Sequence, residues 1–445
     1  MFKGRPKITR VANWGNYPST EASVHEFGKK IELANLPQHE SMVARGAGLS
    51  YGDASLAKII LSTAHFNKIL AFDAHTGMLQ AEAGTTLDEI LKLIVPHGWF
   101  LPVTPGTRFI TLGGAVAADV HGKNHHSEGA FCRYVTHLEL LLADGRMETC
   151  SPHHQQDLFN VICGGLGHGA VILSVTFQLK RIETAYIRQR NVLANNLDEM
   201  LSNLQQFNSA TYSVAWIDCL ARGKKLGRGV VMLGEHAMRG DVKTSQPLSV
   251  HSQPKLTAPF FFPSFLLNRF TVQAFNFAYF TKFKVGAKQA VVHYEPYFYP
   301  LDFVRNWNKL YGRRGFLQYQ FVIPFESAAQ GLRVILDKIS SSGLASFLAV
   351  LKALGPGEHL LSFPMPGFTL ALDFPVNERI FILLDELDKI VVDLGGRIYL
   401  VKDARMKSEI YWKGYPHAHE FKARIHQVDP HRRFESALSK RLKMV

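Results

Sequence analysis

Three glycine-rich loops carry the clearest chemistry in this chain: ARGAGLSYGD (44–53), PGTRFITLGGAVAADVHGKNHH (105–126) and CGGLGHGAV (163–171). Glycine admits positive φ and lets backbone N–H groups come close to a phosphate. One such loop is weak evidence and reads equally well as a tight turn; three of them within about 130 residues point to a large phosphate-bearing cofactor. The dinucleotide fingerprint of a nicotinamide domain is not met, because Tyr51 stands where the third glycine is needed and Gly52 comes one position late. No P-loop lysine follows any of the three loops. Gly48-Leu49-Ser50-Tyr51-Gly52 matches the pattern of a nucleophile elbow, but an elbow needs a helix directly after it, and DASLAKIILS has weak helical periodicity. The densest polar cluster is His121-Gly122-Lys123-Asn124-His125-His126. Metal sites draw ligands from more than one element, and no carboxylate pair or HExxH helix supports one here. We therefore expect no metal, and read this cluster as a solvated loop or as a contact to an anionic or hydroxylated ligand.

The elements that must position these loops read as mixed α/β up to about residue 185. SMVARGAG is a short strand entering a glycine turn, KIILS is a strand, and KILAFDAHTGMLQAEAG is a hairpin turning at His75–Gly77. A helix is expected from about Thr85, with Thr85 as its cap and Pro96 and Gly98 as its stop. A short helix is expected near Asp157–Ile162. From 186 to about 394 the pattern changes to longer aromatic strands (YSVAWIDCL, FLQYQFVIP, FTLALDF) alternating with amphipathic helices. That succession predicts an antiparallel sheet with flanking helices, and an α+β fold overall. The phenylalanine-rich run 259–283 is interrupted by Arg269, Gln273 and Asn276, so it does not span a bilayer; core and membrane-facing lid are equally compatible with it.

Composition sets the outer bounds. The 445 residues are 47% hydrophobic and 20% charged, which is a globular balance with ample core. A net charge of +13 favours anionic partners, whether nucleic acid, an anionic membrane or a phosphorylated substrate. No recognised nucleic-acid motif appears, so that partner is not expected. Cys132, Cys150, Cys163 and Cys219 are scattered, without C-x-x-C or metal-ligand spacing, as in a reduced, disulfide-free chain. MFKGRPKITR lacks the apolar core of a secretory signal and no spanning segment appears, so a cytoplasmic or peripheral inner-membrane location is expected.

In order along the chain, ARGAGLSYGD, PVTPGTR, LGGAVAADVHGKNHH, CGGLG, FLQYQFVIP, LSFPMPGFTLALDFP, GGRIYLVKDAR and VDPHRRFESALSKRL closely resemble the FAD-dependent decaprenylphosphoryl-β-D-ribose 2′-oxidases, flavoproteins of the vanillyl-alcohol oxidase type. The resemblance runs from about residue 40 to the C-terminus, and HGKNHH, FLQYQF and the KD-x-R at Lys402 are its most specific parts. It implies a two-lobed architecture. Residues 1–185 would form a PCMH-type FAD-binding domain, 186–395 the substrate domain, and 396–445 a segment completing the first. It also implies a reaction, in which the 2′-hydroxyl of a polyprenylphosphoryl ribose is oxidised to the 2′-keto sugar. A nicotinamide-dependent reductase would then complete epimerisation to arabinose, and a quinone-type acceptor would take the electrons. The alternative within the same flavoprotein type is an alditol or aldonolactone oxidase acting on a soluble sugar.

Carried over residue by residue, the resemblance assigns Arg45, Gly46, Ala47, Gly48, Leu49, Ser50, Tyr51 and Gly52 to the cofactor pyrophosphate, with Tyr51 near the flavin ring. Pro105, Gly106, Thr107, Gly113 and Gly114 would line the cofactor through backbone N–H groups, and Thr111, Ala117, His121, Gly122, Asn124, Gly167, Val171, Tyr399 and Lys402 would contact it too. His121, Lys123, Gln320 and Lys402 would be catalytic, with His121 near the reacting hydroxyl because its ordinary pKa suits proton transfer near neutrality. Gln318, Gln320, Lys352, Thr369 and Ala371 would line the substrate, together with Tyr51 and Lys123. Ala371, Thr369 and Phe298 stand where the mycobacterial members carry cysteine, asparagine and tyrosine. His121-Gly122 occupies the kind of position at which the alditol and aldonolactone oxidases bond FAD covalently; the resemblance implies that here FAD is held non-covalently.

Overall fold

The computed structural model describes residues 7–30, 40–254, 256–263, 268–344, 346 and 348–445. The chain opens with a four-stranded sheet of β1 (Lys7–Ala12), β2 (Ser19–Glu26), β3 (Met42–Arg45) and β4 (Ile59–Ser62), ordered β1-β2-β4-β3. β3 and β4 run parallel, so both deliver their C-terminal ends to the same edge, where Arg45 opens the first glycine loop. A second sheet follows: β5 (Ile69–Asp73) and β6 (Met78–Glu82), then, after the short β7 (Trp99–Phe100), β8 (Val135–Leu142), β9 (Met147–Cys150) and β10 (Ala170–Gln178). Its order is β5-β6-β10-β8-β9, and β7 pairs separately with β11 (Lys180–Arg181). The hairpin between β5 and β6 turns at Gly77 in the left-handed region, as expected.

The helix Leu87–Ile94 shows how local sequence sets an element here. Its cap is Thr86, one residue later than expected, because Thr85 is buried and Thr86 forms the capping box: its Oγ1 accepts from the Glu89 N–H at 3.2 Å, and Glu89 Oε2 accepts from the Thr86 N–H at 2.8 Å. Leu87, Ile90, Leu91 and Ile94 make one buried stripe, each contributing about 1.5–3 kcal/mol by leaving water. Gly98 at φ 76° ends the segment.

The middle of the chain builds an eight-stranded sheet from β12 (Tyr186–Ala194), β13 (Tyr212–Ile217), β14 (Gly229–His236), β16 (Gln289–His293), β18 (Phe316–Pro324), β19 (Ala349–Leu354), β20 (Gly367–Pro375) and β21 (Arg397–Ile398); the two-residue strands β15 (Leu256–Thr257) and β17 (Val304–Arg305) pair with each other beside it. The order is β16-β12-β14-β13-β19-β20-β18-β21, antiparallel at every pairing. One face carries Tyr319, Phe321, Ile323, Leu351, Leu370 and Leu372 into a core shared with the helices Phe325–Ser342 and Glu378–Asp393. The opposite face of the same strands is left for the site.

The 396–445 segment packs on both halves. β21 is only two residues long and closes the edge of the eight-stranded sheet by pairing with β18. Ile398, Tyr411, Phe421, Leu438 and Leu442 share the core of that sheet, while Phe434 joins Phe27, Met42 and Phe66 and bridges to Met42 beside β3. Within 259–283, residues 264–267 lie outside the described residues. The helix Arg269–Val285 buries Val272 and Asn276 and leaves Phe270 and Phe277 two-thirds or more exposed, so neither reading of this run describes all of it. Among the described residues, no helix is long and apolar enough to cross a membrane.

Candidate functional site

All three glycine loops open onto one cavity of about 770 Å³ between the first half of the chain and the free face of the eight-stranded sheet. β3 ends at Arg45, whose guanidinium folds back under the first loop to reach Asn13 Oδ1, the Ala12 carbonyl at 2.8 Å and Ser55 Oγ at 3.2 Å. Burial pushes it down to about 10. A Cβ on Gly48, which sits at φ 67°, would stand 2.2 Å from that guanidinium, so the loop is wrapped around its own arginine. A Cβ on Gly46 would stand 2.1 Å from Thr111 Oγ1. The first two loops are therefore in contact, and Thr111 also caps the helix Leu112–Ala117.

The backbone donors differ from the expectation at Pro105, which has no N–H, and at Gly113 and Gly114. Gly113 N–H already donates to the Ala83 carbonyl at 2.8 Å and Gly114 N–H to Thr111 Oγ1 at 3.3 Å, so these glycines offer a Cβ-free surface and no spare donor. The N–H groups of Ala47, Gly48, Leu49, Gly106, Thr107 and Gly167 have no acceptor among the described residues.

The sheet supplies the other wall. Gln318 and Gln320 alternate on β18 and so share a face. Gln320 is opposite Ala371 on β20, which is opposite Val350 on β19; all three line the cavity. Gln320 Nε2 lies 3.2 Å from both His121 Nε2 and Thr369 Oγ1, so this strand residue meets the loop histidine across the cavity. Gln318 Nε2 donates to Asp373 Oδ1 at 2.6 Å. Lys402 Nζ sits 3.9 Å above the Tyr51 ring, and the Tyr51 N–H donates to the Val401 carbonyl at 3.1 Å, tying the C-terminal segment to the first loop. Tyr399 stacks on Phe363 at 4.3 Å and lies 5.2 Å from His121.

Three half-buried lysines line this cavity, Lys123, Lys352 and Lys402, and the charge is unbalanced. Burial pushes Lys352 down to about 8, and burial with the neighbouring Lys352 charge pushes Lys123 down to about 7. Lys123 donates to the Tyr297 carbonyl and lies over the Tyr297 ring. Lys402 is also lowered by burial, opposed by the attraction of Asp373, whose own carboxyl is raised by burial. Burial, with Lys352, His125 and Lys402 adding, holds His121 well below its ordinary value, so its imidazole is neutral at pH 7 and the near-neutral pKa expected of it does not hold in this site. Its Nδ1 is buried with no partner among the described residues. Half-buried cations outnumbering carboxylates are a standing cost that an anionic ligand relieves.

Most of the expected residues line this cavity; four stand behind its wall. Gly52 is held by the chain itself: a Cβ there would meet the Asp403 carbonyl at 1.7 Å. Asn124 turns its amide to the Pro102 carbonyl at 2.8 Å and to Glu128, bracing the second loop. Val171 points to the opposite face of β10, into the core of Phe27 and Phe66, while Ala170 and Ile172 face the cavity. Thr369 shares the substrate face but lies fully buried beneath Gln320. Ser50 of the elbow-like motif has Ser55 Oγ as its recorded side-chain neighbour at 3.5 Å, and residues 50–57 form turns rather than a helix. Sequence reasoning missed Trp14, Trp216, Tyr279, Asn306 and Trp307, which also line the cavity. The alternation of YSVAWIDCL does put Val214 and Trp216 on one face; nothing local marks Trp14 or Trp307.

The walls fit FAD by two observations. A Cβ on Gly106 or on Gly167 would meet no protein atom within 4 Å, so both leave space that a bound group fills. The unused loop N–H groups and the surplus of half-buried cations suit a pyrophosphate. A family model described as an FAD binding domain matches residues 17–151. The chain is 35% identical over 451 residues to the decaprenylphosphoryl-beta-D-ribose oxidase of Mycolicibacterium smegmatis, covering 98% of each chain. It is 32% identical to an uncharacterised Streptomyces coelicolor protein encoded in the mprA 5′ region, over 80% of this chain and 99% of that one. It is 33% identical to the Homo sapiens Delta(24)-sterol reductase over 102 residues, 22% of this chain and 20% of that one.

Proposed function

The chain belongs to the decaprenylphosphoryl-β-D-ribose oxidase family and is an FAD-dependent oxidoreductase; from that membership we propose that it oxidises the 2′-hydroxyl of a polyprenylphosphoryl-β-D-ribose to the 2′-keto sugar. The observation that carries the substrate class is the meeting of Lys123, Lys352 and Lys402, each half-buried in the wall, with the Gln318–Gln320 face in the cavity of the glycine loops. A soluble, uncharged pentitol gives no reason to gather three lysines in one cavity wall; a sugar joined to a phosphodiester does.

When bound, FAD supplies the hydride acceptor. The residues around it then divide the remaining work. Lys352 and Lys123 take the phosphate charge, and Gln318 and Gln320 orient the sugar hydroxyls. Lys402, held over Tyr51, would balance negative charge on the bound cofactor. His121 accepts the hydroxyl proton. The Gln320 amide nitrogen, which donates to Thr369 Oγ1 and faces His121 Nε2, holds the imidazole in place.

The keto product calls for a nicotinamide-dependent reductase as the next enzyme, and a quinone-type compound serves as electron acceptor. The exposed Phe270 and Phe277, on a helix that carries Arg269, Lys282 and Lys284, support a peripheral contact with an anionic membrane surface where the lipid substrate resides. Anaerobic titration tests the substrate assignment. Decaprenylphosphoryl-β-D-ribose bleaches the flavin absorbance, and free pentitols or aldonolactones leave it unchanged. Bleaching by the soluble sugars alone would overturn the assignment.

A further inference from the structure

Behind the cofactor wall, three residues far apart in sequence converge. Cys132 follows the histidine-rich loop, Cys163 follows the helix Gln156–Ile162, and His359 lies in the turn between β19 and β20. One ligand atom from each lies within 4.8 Å of the others. Both cysteines are free and buried; His359 is half-buried, which leaves a path from solvent. Asp119 stands beside them. Its Oδ1 accepts from the Cys132 N–H at 2.9 Å, whereas its Oδ2 is buried with no partner among the described residues. Asp119 is 2% exposed, interacts with both thiols, and holds its backbone at φ 38°, an unusual position for a residue with a side chain. His359 Nδ1 is likewise buried and unpartnered.

We propose that Cys132, Cys163 and His359 supply three ligands of a structural site for a zinc-type divalent cation, and that the Asp119 carboxylate, which lies outside that 4.8 Å group, turns in as the fourth. Two thiolates, an imidazole and a carboxylate are the donor set of a borderline-soft ion in a closed tetrahedral site. Such a site has ligand–ligand edges of about 3.4–3.8 Å, so Cys132, Cys163 and His359 close on an ion by side-chain shifts of about 1 Å. Binding releases the two thiol protons, and His359 binds as neutral imidazole.

The place of the site gives it a purpose. The Val116 carbonyl accepts from the Asp119 N–H, the Gly164 N–H and the Cys132 thiol. On either side, Ala117, Ala118, Val120 and His121, and Leu166–Gly167, line the cavity. His359 comes from the other half of the chain, whose loop also reaches across through Arg133–Glu358 and the Gly355 N–H to His125 Nδ1 bond. The ion pins the back of the cofactor wall to the substrate half.

Elemental analysis of the FAD-loaded full chain, purified with zinc and without chelator, is expected to give about one zinc per chain. His359→Ala, a half-exposed change that leaves the core intact, is expected to lose at least tenfold of it, as is Cys163→Ser. Exchange with Co(II) is expected to add d–d bands to the red of the flavin absorption, absent in both variants. Chelation is expected to lower the unfolding midpoint, with recovery on adding zinc and none on adding magnesium. Substoichiometric metal in the zinc-replete wild type, unchanged zinc in His359→Ala, or a Cys132–Cys163 disulfide in the purified protein would each overturn the proposal.

Discussion

Gly106→Ala separates the cofactor site from the fold. The new methyl would meet no protein atom within 4 Å, and Gly106 lies outside the left-handed backbone region, so alanine is free of strain there. In the cofactor-free protein the change is expected to be neutral or to stabilise by about 0.4–1 kcal/mol, because alanine restricts the unfolded chain. In the holoenzyme the same methyl occupies space on the cofactor side of the second loop. Overpacking of a filled site costs about 1–3 kcal/mol, which is about 5- to 150-fold in FAD affinity. Gly46→Ala is the contrasting control. Its methyl would lie 2.1 Å from Thr111 Oγ1, inside the protein, and would destabilise the fold with or without FAD. The assay pairs thermal unfolding of both variants, cofactor-free and cofactor-loaded, with flavin fluorescence titration of the cofactor-free forms. If Gly106→Ala bound FAD as tightly as the wild type, the cavity beside the second loop would not be the cofactor site. If it lowered the melting temperature of the cofactor-free protein, the space would not be open.

The remaining predictions concern charge and chemistry. Lys352 is held near 8 in the folded, substrate-free protein against about 10.4 when unfolded, so the unfolded chain binds the extra proton between these values. That contribution makes the substrate-free protein gain stability as pH rises from about 8 toward 10.4, and Lys352→Met, which removes the half-buried charge, flattens this part of the profile; denaturant unfolding at a series of pH values reads it. His121→Ala is expected to slow flavin reduction by about 10²–10⁴-fold at saturating substrate, measured by anaerobic stopped flow; an unchanged rate would remove His121 from proton transfer. Acid precipitation is expected to release the yellow colour into the supernatant, as non-covalent FAD requires. Reagents that need a cysteine at the Ala371 position are expected to leave the 369–373 peptide at its unmodified mass, read by peptide mass spectrometry.

Much of the fold was legible because its signals are local. The apolar stripe of the helix Leu87–Ile94, the glycine turn at Gly77 and the alternation of FLQYQFVIP each act within a few residues, and each element formed close to its expected bounds, with the helix cap one residue later than expected. The errors came where a local pattern meets a distant partner. Val171 reads as a loop-end residue beside Gly167, but strand alternation sends it to the far face. Gly113 and Gly114 read as phosphate donors, but their N–H groups are taken by Ala83 and Thr111. Gly52 reads as part of a cofactor loop, but its missing Cβ is required by the Asp403 carbonyl more than three hundred residues away in sequence.

By itself the sequence determined the family, the kind of cofactor and the identity of the chemical groups, because glycine loops and the HGKNHH and KD-x-R motifs are runs of neighbouring residues whose spacing is fixed by the chain. Tertiary structure alone decided which of those groups share a cavity and what their surroundings do to them. The neutral state of His121 and the lowered Lys123, Lys352 and Lys402 follow from burial and from one another's charge, quantities that depend on distance through space. The convergence of Cys132, Cys163 and His359 has the same origin: their sequence spacing matches no metal motif, because the pairing of two halves of the chain brings them together.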